Sequence, residues 1–166
     1  MKTMNSSVTP VRRSPEEQAN FEATFKEIFE HGFGFNEVIG LKVESFAPES
    51  PRLKFDMRPE LVGSYIHKRL HGGVIATALD TVGGFAVAVA VAEKYASETA
   101  EQIVARFSRF GTIDLRIDYL RLGVGHSFHA SAKVVRLGGR IASVQMELKN
   151  DTDLLIATGT AAYIVS

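Results

Sequence analysis

Leu70-His71-Gly72-Gly73-Val74-Ile75-Ala76-Thr77-Ala78-Leu79-Asp80, with the apolar run that continues to Ala92, decides how the rest of the chain reads. Between Gly72 and Ala92 the only charge is Asp80, and Glu93-Lys94 restore polarity directly afterwards. No proline interrupts the run and alanine is frequent, so it predicts one helix of about six turns. A helix apolar on every side must be buried on every side, in a membrane or inside a wrapped core. Asp80 then falls where burial is deepest, an expensive place for a carboxylate without a chemical role. At the entrance, His71-Gly72-Gly73 sets backbone N–H groups at a helix N-terminus, where partial positive charge gathers. One element thus offers an oxyanion site and a candidate base.

Composition narrows the alternatives. The 166 residues suit a single domain with a proper core. Lys+Arg and Asp+Glu balance at 19 each, so no net field favours nucleic acid or anionic lipid. Cysteine is absent, which excludes disulfides, thiol nucleophiles and thiolate metal sites and fits a cytoplasmic location. The N-terminus carries no apolar run after Lys2, so no secretory signal is expected. His31, His67, His126 and His129 follow no metal-ligand spacing, and no metal or cofactor is expected. No Gly-x-Ser-x-Gly elbow appears, which disfavours a serine hydrolase. Roughly 20 apolar residues are enough to span a bilayer. Four glycines, a central Asp, alanine in place of leucine and strand-like flanks instead favour a buried soluble helix, with no membrane partner.

Taken in order, residues 1–13 read as a flexible tail, and residues 14–166 as one domain. Ser14 is a fitting N-cap, with Pro15 at the first helical position and Glu16-Glu17 in the first turn. Phe21, Phe25, Ile28 and Phe29 recur at helical spacing, so the helix runs over 14–31 and Gly32 ends it. A further helical turn around Asn36–Ile39 closes at Gly40. Leu41–Phe46 and Leu53–Met57 alternate with period two around Pro48 and Pro51 and predict a hairpin. Residues 59–69 read as a loop, and 96–111 as an irregular excursion. From Thr112 the chain reads as a four-strand meander, with a two-residue turn at Gly138-Gly139. In the first of these strands Ile113, Leu115, Ile117 and Tyr119 alternate with Asp114, Arg116 and Asp118. The Gly83-Gly84 pair suits close approach of two helices, or of helix and sheet.

The fold class is therefore α+β, an antiparallel sheet of about six strands wrapped around one long central helix. A single curved sheet cannot close over every side of that helix, and a second copy of the chain is the simplest cover. Geometry points the same way. Asp80 lies eight residues beyond Gly72, roughly 12 Å along the axis, too far to share one carbonyl substrate. Two antiparallel helices across a two-fold axis would bring the Gly72 end of one beside Asp80 of the other. A homodimer, or a dimer of dimers, follows if both act together.

A backbone oxyanion site with a carboxylate suits acyl transfer to water, with Asp80 either activating water or attacking directly. A thioester fits better than an amide because thiolate leaves readily. His71 either bonds the thioester carbonyl or orients the loop. Leu70-His71-Gly72-Gly73, then Leu79-Asp80, then Gly111-Thr112-Ile113-Asp114-Leu115-Arg116-Ile117-Asp118-Tyr119-Leu120-Arg121 resemble the hotdog-fold acyl-CoA thioesterases of the PaaI type. Among these the chain is most similar to the YigI-like medium- and long-chain group, over residues 35–166. The resemblance implies Gly72 as oxyanion donor and Asp80 as base or nucleophile, supplied across a dimer interface. It also implies that Thr112 positions the Asp or its water, with Gly73 beside the substrate, and that Arg136, Gly138 and Arg140 lie near the coenzyme A phosphates. Two departures stand out: the loop Gly63-Ser64-Tyr65-Ile66-His67 lacks the family's Asn, where Ser64 offers a hydroxyl instead, and Leu122 replaces a proline.

Blander readings stand beside these. The lesser alternative for Asp80 is a buried structural carboxylate bonded to Thr77 or Thr81. Thr112 is an ordinary β-former, and Arg136 and Arg140 flank a hairpin tip where solvated charge is usual. The expected function is hydrolysis of medium- or long-chain acyl-CoA, aliphatic rather than aryl because the surroundings read as aliphatic. A non-catalytic acyl-CoA-binding module and a hydroxyacyl-thioester dehydratase are the alternatives. The N-terminal helix either caps an acyl tunnel or covers the sheet.

Overall fold

A computed structural model describes residues 12–166. The tail expected over 1–13 lies outside the described residues except at Arg12 and Arg13, and Arg13 is not loose. Its guanidinium donates to the carbonyls of Ala92 (2.8 Å), Glu98 (3.1 Å) and Tyr95 (3.2 Å). A cation there satisfies the orphan carbonyls at the C-terminal end of the central helix.

Helix α1 (Pro15–Glu27) starts where Ser14 Oγ accepts the Glu17 N–H, and a π-helical turn (Ile28–Gly32) extends it. Short helix α2 (Gly34–Ile39) ends at Gly40, whose left-handed φ of 76° favours glycine. Strands β1 (Lys42–Ser45) and β2 (Arg52–Asp56) form the expected hairpin. The stretch read as a plain loop instead holds a small hairpin, β3 (Val62–Ser64) against β4 (Arg69–Leu70). Its strands are too short to show alternation. Central helix α3 spans Gly72–Lys94.

Residues 96–111 are not irregular. They contain α4 (Ala100–Phe107), opened by a capping box in which Thr99 and Gln102 satisfy each other's backbone N–H groups. That signal is local and legible; its mixed polar composition concealed it.

Strands β5 (Gly111–Tyr119), β6 (Ser127–Leu137), β7 (Ile141–Asn150) and β8 (Leu155–Ile164) complete one antiparallel sheet in the order β1-β2-β6-β7-β8-β5. Only β6-β7-β8 is a meander: β5 pairs with β8, at the edge far from β6. The β6–β7 turn centres on Gly139-Arg140, one residue beyond the expected pair, because Gly138 N–H already donates to the Ile141 carbonyl (2.9 Å).

The sheet curls around α3, whose Ala78, Leu79, Val82, Phe85, Ala86, Val87 and Ala88 are at most 1% exposed. With mean hydropathy 2.0, α3 is long and apolar enough to cross a membrane, yet it forms the centre of the core. Burial is not complete, however. Gly73 is exposed, and Ala76, Thr77, Asp80, Thr81 and Gly84 are only half-buried, one stripe at helical spacing that the chain's own sheet leaves open.

Candidate active site

The N-terminus of α3 is built locally. His71 is extended (φ −66°, ψ 138°), and its Nδ1 accepts the Gly73 N–H at 2.9 Å. To accept there, the neutral ring must carry its proton on Nε2. The Val74 and Ile75 N–H groups reach the His71 carbonyl. Gly72 N–H is then the first-turn donor left without an acceptor among the described residues. It opens on a groove of about 630 Å³ shaped by Leu70, His71, Tyr119, Arg121 and Gly123. Tyr119 Oη donates to the Gly72 carbonyl at 3.1 Å. Gly63 lets the β3–β4 hairpin lie flat on this cap, since a Cβ there would meet His71 Cα at 2.5 Å.

Asp80 opens into a different cavity, of about 280 Å³. Neither is it the deeply buried group expected: it sits on the open stripe of α3 and is half-buried. Its Oδ1 accepts from Thr112 Oγ1 at 2.9 Å and lies 3.1 Å from Tyr163 Oη. The Tyr163 hydroxyl is also 2.9 Å from the Asp80 carbonyl oxygen, so one proton is shared between two acceptors of the same residue. Oδ2 takes no hydrogen bond among the described residues. Burial first, then the Asp80 charge and hydrogen bond, hold the Tyr163 phenol far above its usual pKa, so it remains a donor across the working pH range.

The bland partners are otherwise engaged. Thr77 Oγ1 donates to the Gly73 carbonyl at 2.9 Å, and Thr81 Oγ1 to Asn36 Oδ1 at 3.4 Å. Asn36 is buried and donates to the Phe29 carbonyl at 2.9 Å, tying α2 to the first residues of the π-helical turn.

Tyr163 and Asn36 are the residues that sequence reasoning missed. Tyr163 sits in an apolar final strand with no motif around it. Gly83 was the available clue: a Cβ there would meet Tyr163 Oη at 2.2 Å and Met146 Sδ at 2.7 Å. This glycine lets the sheet's tyrosine cross α3 to Asp80.

The wall of the Asp80 cavity corrects another expectation. Phe29, Phe33, Phe107 and Phe110 line it, so the surroundings are aromatic rather than aliphatic. Phe29 and Phe107 centroids are 5.3 Å apart, and Phe107 and Phe110 likewise 5.3 Å. The end of the N-terminal helical segment therefore reaches this cavity rather than only covering the sheet.

The remaining candidates scatter. Ser64 lies on β3 and borders neither cavity. Arg136 and Arg140 are exposed on the β6–β7 hairpin. Gly138 borders a small cleft with Lys94, Arg106 and Arg109 at the far end of α3. That cleft is roughly 21 Å along the axis from Asp80 and about 33 Å from Gly72.

The sequence profile of the thioesterase superfamily matches residues 67–157, a span that includes the α3 entrance, Asp80 and Thr112. The chain belongs to the thioesterase superfamily. This family member is a thioester hydrolase. It is 38% identical over 139 residues to the medium/long-chain acyl-CoA thioesterase YigI of Escherichia coli K12, covering 84% of this chain and 90% of that protein. A crystal structure of a Shewanella oneidensis protein related to the superfamily is 34% identical. It superposes with a TM-score of 0.85 over 93% of this chain and all of that one. A thioesterase from Haemophilus influenzae, only 15% identical, shares the fold with a TM-score of 0.68 over 86% of this chain and 87% of that one.

Proposed function

We propose that this thioesterase hydrolyses medium- or long-chain acyl-CoA at two sites, each assembled from two copies of the chain. The carrying observation is the separation of the two halves of the chemistry. A free, dipole-backed N–H at Gly72 opens on one groove, and an anchored carboxylate at Asp80 opens on another. No residue is common to the two. The half-exposed stripe of α3 and the exposed edge strand β5, with Ile113 54% and Tyr119 55% exposed, offer a surface for a second copy. In such a dimer Gly72 of one copy polarises the thioester carbonyl, His71 orients that loop, and the other copy's Asp80 acts on the carbonyl carbon. Oδ2 is the reactive oxygen, since Thr112 and Tyr163 occupy Oδ1. Water activation and direct attack both remain compatible with that geometry. Chain preference rests on the likeness to YigI, and the phenylalanine wall provides the apolar surface for the chain.

Two single variants test the sharing. Gly72→Pro deletes the N–H at a helix position that tolerates proline, after a residue already extended. Asp80→Ala deletes the carboxylate. Each alone abolishes thiol release from a panel of acyl-CoAs running from acetyl to palmitoyl with phenylacetyl. Co-expressed, they form hybrid dimers with one intact site, and activity returns to roughly a quarter of wild type on statistical mixing of two-fold dimers. Hybrids no better than their parents would refute a shared site.

A further inference from the structure

Thr112 reaches Asp80 only because β5 breaks its own alternation. Opposite β8, Leu115 faces Ala161 and Asp114 faces Ala162, but Thr112, not Ile113, faces Tyr163. Ile113 is the extra residue of a β-bulge and projects outward, 54% exposed. In an unbroken strand, the helix-facing set Leu115 and Ile117 would continue to Ile113, and Thr112 would point away with Asp114 and Arg116. The skipped residue reverses this parity. Thr112 and Tyr163, now cross-strand neighbours, both turn toward Oδ1 of Asp80. At the same step the Asp114 carboxylate accepts the Ala162 N–H at 2.9 Å, supplying an acceptor where the ladder is interrupted.

We infer that Asp114 is a positioning residue for hydrolysis: it locks the bulge that aims Thr112 at Asp80. It touches neither cavity and acts through Thr112, and the inference rests on Asp80 being the reactive carboxylate.

A double-mutant cycle on the purified full-length enzyme reads this out. Thr112→Ala lowers kcat roughly tenfold, the scale of one hydrogen bond to a charged group, with KM little changed. Asp114→Ala lowers kcat to a similar extent, and the double variant is no slower than Thr112→Ala alone, because both remove the same contact. Asp114→Asn, whose side-chain oxygen still accepts the Ala162 N–H, restores most of kcat. If the alanine variant folds poorly, Asp114→Val, a stronger strand former without an acceptor, takes its place. Wild-type kcat in Asp114→Ala, or losses that multiply in the double variant, would overturn the inference. A merely structural Asp114 would lower Tm and leave kcat intact, which also counts against it. Asp80→Ala run alongside separates the cases: full activity there removes the reading of Asp80 itself.

Discussion

The first turn of α3 and its middle hold their chemistry in opposite ways. At Gly72 everything is local: His71 caps Gly73 across two residues, and the useful donor is a backbone N–H that needs no side chain at all. At Asp80 everything is distant. Its partners come from 32 and 83 residues away, a bulge turns one of them inward, and a glycine clears the path of the other. A helix N-terminus is prepared by its own sequence, whereas a carboxylate in mid-helix must be aimed by whatever packs against it.

Deleting either reactive group probes this difference at its strongest. Gly72→Pro and Asp80→Ala each lower kcat by at least ~100-fold, about 2.7 kcal/mol of transition-state stabilisation, when thiol release is followed on the best acyl-CoA. Loss at only one of them would leave half of the proposed chemistry without support. Next in size is the clamp on Asp80. Tyr163→Phe keeps the ring and removes the hydroxyl, and kcat should fall about tenfold with KM nearly constant, while Thr112 still holds Oδ1. An unchanged kcat would reduce Tyr163 to packing. Smaller still is the local cap: His71→Ala costs about 1 kcal/mol of stability, a Tm lower by roughly 2–4 °C in a thermal melt.

The smallest effect concerns alkaline pH. The Tyr163 phenol has a raised pKa in the folded state, so between its ordinary pKa of 10.0 and its folded one the native protein binds a proton that the unfolded chain has released. Stability from this group is therefore complete below pH 10.0 and declines above it. Urea titrations above pH 10 should show a shallower decline in Tyr163→Phe than in wild type.

Much of the fold was legible because its signals are short-range. Ser14-Pro15 starts α1, the charge-poor run from Gly72 is the buried helix, period-two alternation marks β1, β2 and β5, and turn residues bound the strands that follow. The Thr99–Gln102 capping box is equally local, set within a stretch of mixed polar composition. Strand order was not legible, since β5 pairs with β8 across β6 and β7, and alternation names a strand's faces without naming its neighbour.

The sequence by itself determined the central helix, the free N–H at its entrance and the one carboxylate in its middle, because helix periodicity and end effects act within a few residues. Only the tertiary structure decided what holds that carboxylate. By alternation alone Thr112 belongs to the outward face of β5, and Tyr163 to an unremarked last strand. A single extra residue at Ile113 and the missing Cβ of Gly83 bring both hydroxyls to Asp80. Parity across a sheet and clearance over a helix are set by pairing, and pairing is a property of the folded chain.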